Sequence, residues 1–403
     1  MSPTRLQERF EQLDQLLYEA QGLWRPAAFH HRVLPWEADY PKLAAWLAGL
    51  DDAEIEHFEE EPRGLRAALA EFCPILAERE PLLAFPTVPE RELALERHFH
   101  HGIPGRKWAQ IEAFLAAVEP SEQPTLEWCA GKGYLARTLA ARDGMPVAGL
   151  EWHGELCRRG EREAADRGVD VTLHQQDVLA PEAARLLRRD GQVLALHACG
   201  DLHGRLLHLA ADHRPRSIRL SPCCYQRTRD AHYRPFSRQA RQGRLHLSRG
   251  DLHLAVQETV TGGRRVRRLR DREAAWRLGF DALQREVRGT NQYLNVPSLP
   301  KRLLGGSFRQ FCDWAATQRG VALPGQLDWA AWEQHGVRRL RKVRRMELVA
   351  HAFRRPLEVW LVLDRALFLE QAGYRVRVLQ FCERHLTPRN LLIDACREPA
   401  RDA

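Results

Sequence analysis

Residues 126–137 read LEWCAGKGYLAR, which is an apolar approach, an acid, a turn of small residues and the start of a helical pattern. Glu127 is the acid, Cys129 to Gly133 form the turn, and helical spacing begins at Tyr134. A strand, a glycine turn and a helix in this order build the nucleotide site of α/β proteins. The glycines let the backbone approach a ligand, and the first helical turn presents unpaired N–H groups. Because one Gly-x-Gly also occurs in plain tight turns, the residues that follow decide the interpretation.

Two further acids follow at the spacing of an adenosine site. Glu151 ends a short apolar segment eighteen residues after Gly133, and Asp177 follows the next such segment. In a doubly wound fold, an acid about twenty residues after the turn accepts hydrogen bonds from ribose hydroxyls. Glu127 beside the turn suits the ammonium group of S-adenosylmethionine better than a pyrophosphate, because opposite charges attract strongly in a shielded crevice. The pattern therefore favours a methyltransferase over a nicotinamide oxidoreductase, whose turn would also carry a third glycine.

Strand and helix patterns alternate around this motif. Seven strands are predicted, at Thr125 onward, Val147–Leu150, Val169–His174, Gln192–Leu196, Ser217–Leu220, Arg375–Phe381 and Leu391–Ala395. Open parallel sheets place the carboxyl ends of their strands along one ligand-binding crevice. The predicted fold class is therefore α/β, a Rossmann-like seven-stranded methyltransferase sheet with a helical N-terminal extension and a basic helical insertion.

The helical patterns set the predicted domain division. Residues 1–101 are expected to form a helical N-terminal region, and residues 102–403 a methyltransferase domain with an Arg-rich helical insertion at about 226–345. Among the predicted helices are Leu6–Tyr18, Tyr40–Leu50, Gly64–Leu76, a segment near Glu90–His98, Pro181–Arg189 and Leu357–Gln371.

Charge is concentrated in one part of the chain. The formal net charge is +8, and residues 226–288 hold sixteen Arg against seven acids. Such a surface suggests a polyanionic partner, nucleic acid first, although a solvated helical face in an Arg-rich protein has the same composition. No apolar run is long enough for a membrane span, and the N-terminus lacks an apolar signal core. With nine cysteines spread along the chain, these features predict a reducing, cytoplasmic location.

Several motifs together resemble a known family. LEWCAGKGYLAR, LHACGDLH (196–203), LSPCCYQ (220–226) and LDRALFLEQAGY (363–374) with LTPRNLL (386–392) are similar to class I methyltransferases. The resembling proteins are the methyltransferase-like 25 proteins and the glutathione S-transferase C-terminal-domain-containing proteins, with the tRNA nucleotide-4 2′-O-methyltransferases as distant relatives. The resemblance spans about residues 102–225 and 345–396. Two departures are Gln110 in place of an acid and Cys129 in place of a glycine.

The resemblance implies S-adenosylmethionine as the cofactor and assigns residues to it. Glu127, Gly131 and Gly133 take the methionine end, Glu151 the ribose and Asp177 the adenine amino group. Each acid keeps a local alternative, Glu127 as a solvated strand end and the other two as caps of the helices that follow them.

The resemblance also implies a set of acceptor-facing residues after the fourth and fifth strands, namely His197, Cys199, Asp201, Cys223, Cys224 and Tyr225. Asp201 or His197 is the candidate base for a hydroxyl acceptor. The same residues would also occur if these side chains were only packed and hydrogen-bonded, with no role toward an acceptor. The three cysteines with His197 also suggest zinc, but their spacing matches no common zinc pattern, so no metal is expected.

The resulting prediction is an S-adenosylmethionine-dependent methyltransferase that acts on RNA, either tRNA or rRNA. The basic residues that suggest RNA are Arg264, Arg265, Arg267, Arg268 and Arg270, with the cluster from Arg338 to Arg345. The alternatives are a protein methyltransferase acting on a ribosomal or other nucleic-acid-associated protein, and a non-catalytic RNA-binding protein.

Overall fold

The computed structural model describes residues 4–96, 98–257 and 264–397. The chain divides into two units. The first, here called the sheet unit, comprises Met1–Tyr18, Arg79–Val260 and Arg354–Ala403, and the second, the helical unit, comprises Glu19–Glu78 and Thr261–Phe353. The Arg-rich residues 226–345 thus contribute to both units. In the described ranges, no helix has the length and apolar character needed to cross a membrane.

The described chain forms one seven-stranded sheet in the order β3-β2-β1-β4-β5-β7-β6. The strands are β1 (Thr125–Trp128), β2 (Val147–Glu151), β3 (Val171–Gln175), β4 (Gln192–Cys199), β5 (Ser217–Cys223), β6 (Arg375–Gln380) and β7 (Leu391–Cys396). Strands β1 to β5 are parallel, and β7 is antiparallel to both β5 and β6. The predicted seven-stranded Rossmann-like sheet is confirmed, and β4 and β5 extend three residues beyond their predicted ends.

Sixteen α-helices occur within the described residues. They are α1 (Arg5–Glu19), α2 (Gln21–Trp24), α3 (Pro41–Gly49), α4 (Asp52–Glu60), α5 (Pro62–Leu69), α6 (Ile75–Arg79), α7 (Gly105–Ala116), α8 (Tyr134–Asp143), α9 (Gly154–Ala165), α10 (Asp201–His213), α11 (Arg238–Gln242), α12 (Arg249–Leu254), α13 (Arg264–Arg288), α14 (Phe308–Arg319), α15 (Trp329–Ala352) and α16 (Arg354–Gln371). Short 3₁₀ helices occupy Glu80–Leu83, Pro181–Leu186 and Lys301–Gly305.

The core of the sheet unit lies between the strands and their crossover helices. Helices α7, α8 and α9 pack on the sheet through one apolar cluster that includes Ile111, Leu135, Cys157, Leu173 and Leu194. Helices α10 and α16 contact β4, β6 and β7. Strands β1 and β4 are buried along almost their whole length, which explains their continuous apolar sequences. This packing fixes the carboxyl ends of the parallel strands along one edge.

Three helix predictions need correction. Residues 90–96 are irregular rather than helical, and Arg97 lies outside the described residues. The reason is tertiary pairing just before them, where Thr87 forms a parallel bridge with Gln380, the last residue of β6. The helix predicted over Pro181–Arg189 is a six-residue 3₁₀ turn. The helix predicted over Gly64–Leu76 stops at Leu69 and resumes as α6 after Pro74, which has no N–H to donate.

The helical unit is built around the crossing of its two longest helices, α13 and α15. A Cβ added to Gly336 would lie 2.2 Å from the Ala275 carbonyl oxygen and 2.8 Å from the Gly279 nitrogen, so only glycine permits this approach. Asp281 is buried and forms ion pairs with Arg285 at 3.0 Å and Arg339 at 2.8 Å. Two arginines of the Arg-rich residues 226–345 therefore stabilise this unit through a buried carboxylate.

Candidate cofactor and acceptor site

The glycine turn after β1 holds three alternating residues in the left-handed region. Cys129, Gly131 and Gly133 have φ of 60°, 61° and 62°. Glycine adopts this conformation without strain, whereas a cysteine at φ 60° is uncommon. A Cβ built on Gly131 would meet no atom within 4 Å, so open space lies above the turn. The turn therefore forms a cradle beside the N-terminus of α8.

Two glycines beneath this turn were not singled out from the sequence. A Cβ on Gly149 would lie 2.7 Å from Leu173 and 2.9 Å from Ala130, and a Cβ on Gly160 would lie 2.7 Å from the carbonyl oxygen of Lys132. Both residues therefore let β2 and α9 approach the turn closely. An apolar strand VAGLE and a helix reading CRRGERE offer no local signal of this requirement.

Glu127 is a buried carboxylate at the end of β1. Its Oε2 accepts a hydrogen bond of 2.8 Å from the backbone N–H of Ala136 in α8. Burial raises the pKa of Glu127 to about 7, opposed by this hydrogen bond and by the charge of Lys107. The pKa of Lys107 is in turn lowered by burial, with Glu127 opposing that effect. An acid and a base thus lie near each other behind the turn.

Lys107 is a site residue that sequence reasoning left without a role. It is the third residue of α7, and its charge lowers the pKa of both Glu127 and His197. On the same helix, the Gln110 amide donates to the carbonyl oxygen of Leu386 at 3.1 Å. The departure from the family pattern at Gln110 therefore serves to attach α7 to the loop before β7. In the sequence, the adjacent basic residues Arg106 and Lys107 were the only signal that this helix contributes a positive charge to the site.

Glu151 ends β2, and Asp177 follows β3 by two residues. Glu151 accepts hydrogen bonds from Gly131 N at 3.0 Å and from His153 N at 2.9 Å. Asp177 is exposed and accepts from Leu179 N at 2.9 Å. Both carboxylates thus make local backbone contacts, and each has further lone pairs for a ligand because a carboxylate offers about four acceptor positions.

The predicted cofactor residues lie together. The pKa of Cys129 is raised to about 12 by burial and by the negative charges of Glu151, Glu127 and Asp177. The Cys199 thiol, which follows β4, contributes to the same effect. The ends of four strands therefore line one crevice around the glycine turn, as an open parallel sheet requires.

A second cluster lies where β4 and β5 end. Cys199 and Cys223 are register partners in these strands, and their sulfurs are 3.5 Å apart. The Sγ atoms of Cys199, Cys223 and Cys224 all lie within 4.8 Å of one another. Two residues with unusual backbone bring them together, since the β4 register shifts around His197, at φ 64°, and Cys224 has φ 47°. We call these three cysteines the thiol trio.

Charges are unevenly distributed over this cluster. Hydrogen bonds from the Cys199 and Cys223 thiols lower the pKa of Cys224, and the charges of Arg227 and Arg389 act in the same direction. The pKa of Cys223 is raised by its hydrogen bonds with Cys199 and Cys224. Burial lowers the pKa of His197 to about 4, so its imidazole is neutral. Of the three thiols, Cys224 is therefore the one whose thiolate form is most favoured.

Asp201 and Tyr225 have structural contacts. Asp201 begins α10, and its carboxylate accepts from Arg229 N at 2.9 Å, which attaches the loop after β5. Tyr225 is buried, and its hydroxyl donates to the Pro222 carbonyl oxygen at 3.4 Å. The Arg365 guanidinium lies 4.9 Å from its ring centroid. Asp201 remains at the crevice edge, whereas Tyr225 is a packed side chain.

Comparison with protein families identifies the matched segment. Residues 106–231 match a family described as a methyltransferase domain. They contain the glycine turn, all three acids and the thiol trio, and the sheet order β3-β2-β1-β4-β5-β7-β6 is that of a Rossmann-like methyltransferase. The chain therefore carries a class I methyltransferase domain, and S-adenosylmethionine is the methyl donor of that domain.

Solved structures give weaker likenesses. The tRNA (uracil-54, C5)-methyltransferase of Pyrococcus abyssi, in complex with S-adenosyl-L-homocysteine, is 18% identical with a TM-score of 0.25, over 29% of each chain. The 23S rRNA methyltransferase ErmE is 13% identical with a TM-score of 0.24, over 59% of this chain and 97% of that one. The cyclopropane synthase MmaA2 of Mycobacterium tuberculosis is 12% identical with a TM-score of 0.24, over 72% of this chain and 82% of that one. The match thus spans less than a third of the first enzyme, and the assignment depends on the matched domain and the sheet.

Proposed function

We propose that this chain transfers a methyl group from S-adenosylmethionine to an RNA, either tRNA or rRNA. The observation that carries the transfer reaction is the crevice, in which a buried carboxylate, a glycine cradle and two further acids follow consecutive parallel strands. The RNA acceptor is supported by the basic face of α13 and by the resemblance to methyltransferase-like 25 proteins and, distantly, to tRNA nucleotide-4 2′-O-methyltransferases.

The cofactor residues divide by chemistry. Glu127 would pair with the methionine ammonium, and Gly131 and Gly133 would let the backbone approach the methionine end. Glu151 would accept from the ribose hydroxyls and Asp177 from the adenine amino group. The open space above Gly131 and the buried acid next to it fit such a ligand.

The residues on the acceptor side of the crevice would orient the nucleophile. When bound, S-adenosylmethionine would supply the methyl group of its sulfonium, which an acceptor nucleophile attacks in line so that S-adenosylhomocysteine leaves. The protein then has to orient the nucleophile and, for a hydroxyl, take up its proton. We assign this role to His197, near the end of β4, or to Asp201, the first residue of α10.

The basic face of α13 is the proposed phosphate-binding surface. Arg265, Arg267, Arg268 and Arg270 are exposed near the start of this helix. Arg265 and Arg268 make no hydrogen bond or ion pair with another described residue, whereas Arg267 lies 3.5 Å from Glu60. Exposed arginines on successive turns of one helix bind nucleic-acid phosphates by releasing counterions.

We further propose the division into a helical N-terminal region, residues 1–101, and a methyltransferase domain, residues 102–403. A cytoplasmic site of action agrees with the cysteines, because all nine carry free thiols and a reducing compartment keeps them so.

Calorimetric titration with S-adenosylmethionine tests the cofactor site. Wild-type protein should bind S-adenosylmethionine but not NAD, and Gly131→Arg should remove binding because the side chain fills the cradle. Gly144→Arg is the matched control, since Gly144 has φ 67°, has no atom within 4 Å of a built Cβ and ends α8 away from the turn. No binding by the wild type, or equal loss in both variants, would contradict the proposal.

Methyl transfer from radiolabelled donor into total RNA and ribosomal protein tests the acceptor. Label that is removed by ribonuclease supports RNA, and label that is removed by protease identifies a protein methyltransferase instead. In parallel, the double variant Arg265→Glu with Arg268→Glu should weaken RNA binding. The slope of the logarithm of the binding constant against the logarithm of the salt concentration should become shallower by about one to two. Arg309→Glu with Arg319→Glu makes the same charge change on exposed positions of α14 and should alter the slope less. RNA binding without donor binding would indicate a non-catalytic RNA-binding protein.

A further inference from the structure

The thiol trio has a geometry that ordinary packing does not require. Cys199 and Cys223 are paired across β4 and β5, and Cys224 adopts φ 47° directly after its strand. A cysteine in the left-handed region costs stability, and such residues persist where the surrounding structure holds them for a function. The turned backbone places the third sulfur within 4.8 Å of the other two.

The loops that carry these sulfurs are fixed to each other. Gly200 N donates to the Cys223 carbonyl oxygen at 3.0 Å, and Arg227 N donates to the Cys224 carbonyl oxygen at 2.8 Å. A Cβ on Gly200 would lie 2.0 Å from the Arg227 carbonyl oxygen, so this contact admits only glycine. Backbone contacts therefore fix the two loops on which the three sulfurs are carried.

The spacing of the sulfurs fits a tetrahedral metal. Zinc–sulfur bonds of about 2.3 Å place two thiolates about 3.8 Å apart. The observed separation of Cys199 and Cys223 is 3.5 Å, and the remaining pairs are within 4.8 Å. Small side-chain rotations would bring all three to bonding distance.

Chemistry and charge select the ion. Three thiolates are soft ligands that prefer zinc or copper(I) over magnesium or calcium. Zinc with three thiolates carries a net charge of −1, and the positive charges of Arg227 and Arg389, which favour the thiolate of Cys224, would stabilise it. Cys199 and Cys224 are only partly buried, so an ion has access.

We propose that Cys199, Cys223 and Cys224 form a three-thiolate zinc site at the acceptor side of the crevice, with its fourth position open. Three protein ligands and one exchangeable position are the arrangement of catalytic zinc sites, whereas structural sites close all four. The spacing of these cysteines along the sequence does not indicate a zinc site, because the ligands come from the ends of adjacent strands rather than from one short zinc-finger segment. The site is independent of which acceptor is methylated.

Metal content of the full-length protein tests the site. Purified protein, dialysed without chelator, is expected to retain about one zinc per chain and to protect three thiols from a thiol reagent. Cobalt(II) added to the metal-free protein should give the absorption of tetrahedral thiolate coordination. Each of Cys199→Ser, Cys223→Ser and Cys224→Ser should lower zinc affinity by more than about 100-fold, since even second-shell changes cost about 10- to 100-fold.

Cys73→Ser is the control, because Cys73 is also partly buried but lies in the helical unit. Circular dichroism and calorimetric titration with S-adenosylmethionine show whether each variant still folds and binds the donor. Zinc retained without donor binding would support the site and remove the proposed function. Donor binding with no zinc or cobalt uptake, or uptake that is equal in all four variants, would overturn the site.

Discussion

Replacing Glu127 with glutamine should stabilise the fold and weaken cofactor binding at the same time. Glu127 is 7% exposed, and burial raises its pKa from 4.5 to about 7. An acid with a raised pKa binds its proton more tightly in the folded state than in the unfolded state. The free energy of unfolding therefore falls as pH rises from about 4.5 to about 7.

The magnitude follows from the same shift. Each pKa unit corresponds to about 1.4 kcal/mol, so ionised Glu127 costs the fold about 3 kcal/mol above pH 7. Glutamine resembles the protonated acid, and its carbonyl oxygen can still accept from Ala136 N, which now donates to Glu127 at 2.8 Å. The variant should therefore unfold with a free energy about 3 kcal/mol higher at pH 8. The gain should fall below about 1 kcal/mol at pH 5, where the wild-type residue is already mostly protonated.

Urea denaturation at pH 8 and pH 5 checks the change in the free energy of unfolding. Calorimetric titration with S-adenosylmethionine checks the change in cofactor affinity. Loss of a charge-assisted contact to the methionine ammonium should weaken S-adenosylmethionine binding by about 10- to 100-fold at pH 8. Glu127→Asp keeps the negative charge, so it serves as the control that separates loss of charge from a change of side chain at this position. A variant that is less stable than wild type at pH 8, or one that binds the donor equally well, would refute the reasoning.

The remaining predictions concern residues near the crevice and in the helical unit. S-adenosylmethionine binding by the wild type should weaken about tenfold from pH 8 to pH 6 by calorimetry, because protonated Glu127 cannot pair with an ammonium. Lys107→Met, but not Lys107→Arg, should move that profile to higher pH, since the charge of Lys107 lowers the pKa of Glu127. Gly160→Ala should cost about 1–3 kcal/mol in urea denaturation, because its Cβ would lie 2.7 Å from a backbone oxygen. Gly336→Val should destabilise the helical unit by at least as much, whereas Gly325→Val, with open space around its Cβ, should not.

The sheet and the acids were predictable because their signals are local. Strand, turn and acid recur at fixed offsets, so the sequence places Glu127, Glu151 and Asp177 after consecutive strands without knowledge of packing. The helix predicted at residues 90–96 was wrong for the opposite reason. The pairing of Thr87 with Gln380 determines the path of the chain just before that segment. Apolar periodicity cannot report a contact with a strand almost 300 residues away.

Other parts of the site depend on contacts that no local pattern encodes. Lys107 lies on α7 and acts through its charge on Glu127 of β1. Gly149 and Gly160 are needed only because the glycine turn packs on them. The thiol trio depends on a register shift in β4 and on the left-handed conformation of Cys224. Spacing along the chain, which was the reason to expect no metal, carries little information when the ligands come from adjacent strands.

Unfavourable features are concentrated at one edge of the sheet. Among the described residues, the non-glycine positions with positive φ are Cys129, His197, Cys224 and Arg214. Cys129 follows β1, Cys224 follows β5, and His197 lies near the end of β4. Each costs on the order of 1 kcal/mol, and buried Glu127 beside them adds about 3 kcal/mol above pH 7. A chain selected for stability alone would place glycine at these turns and an apolar residue at position 127. Their coincidence at the carboxyl ends of the strands is therefore a sign of function, since proteins depart from local rules mainly where a site requires it.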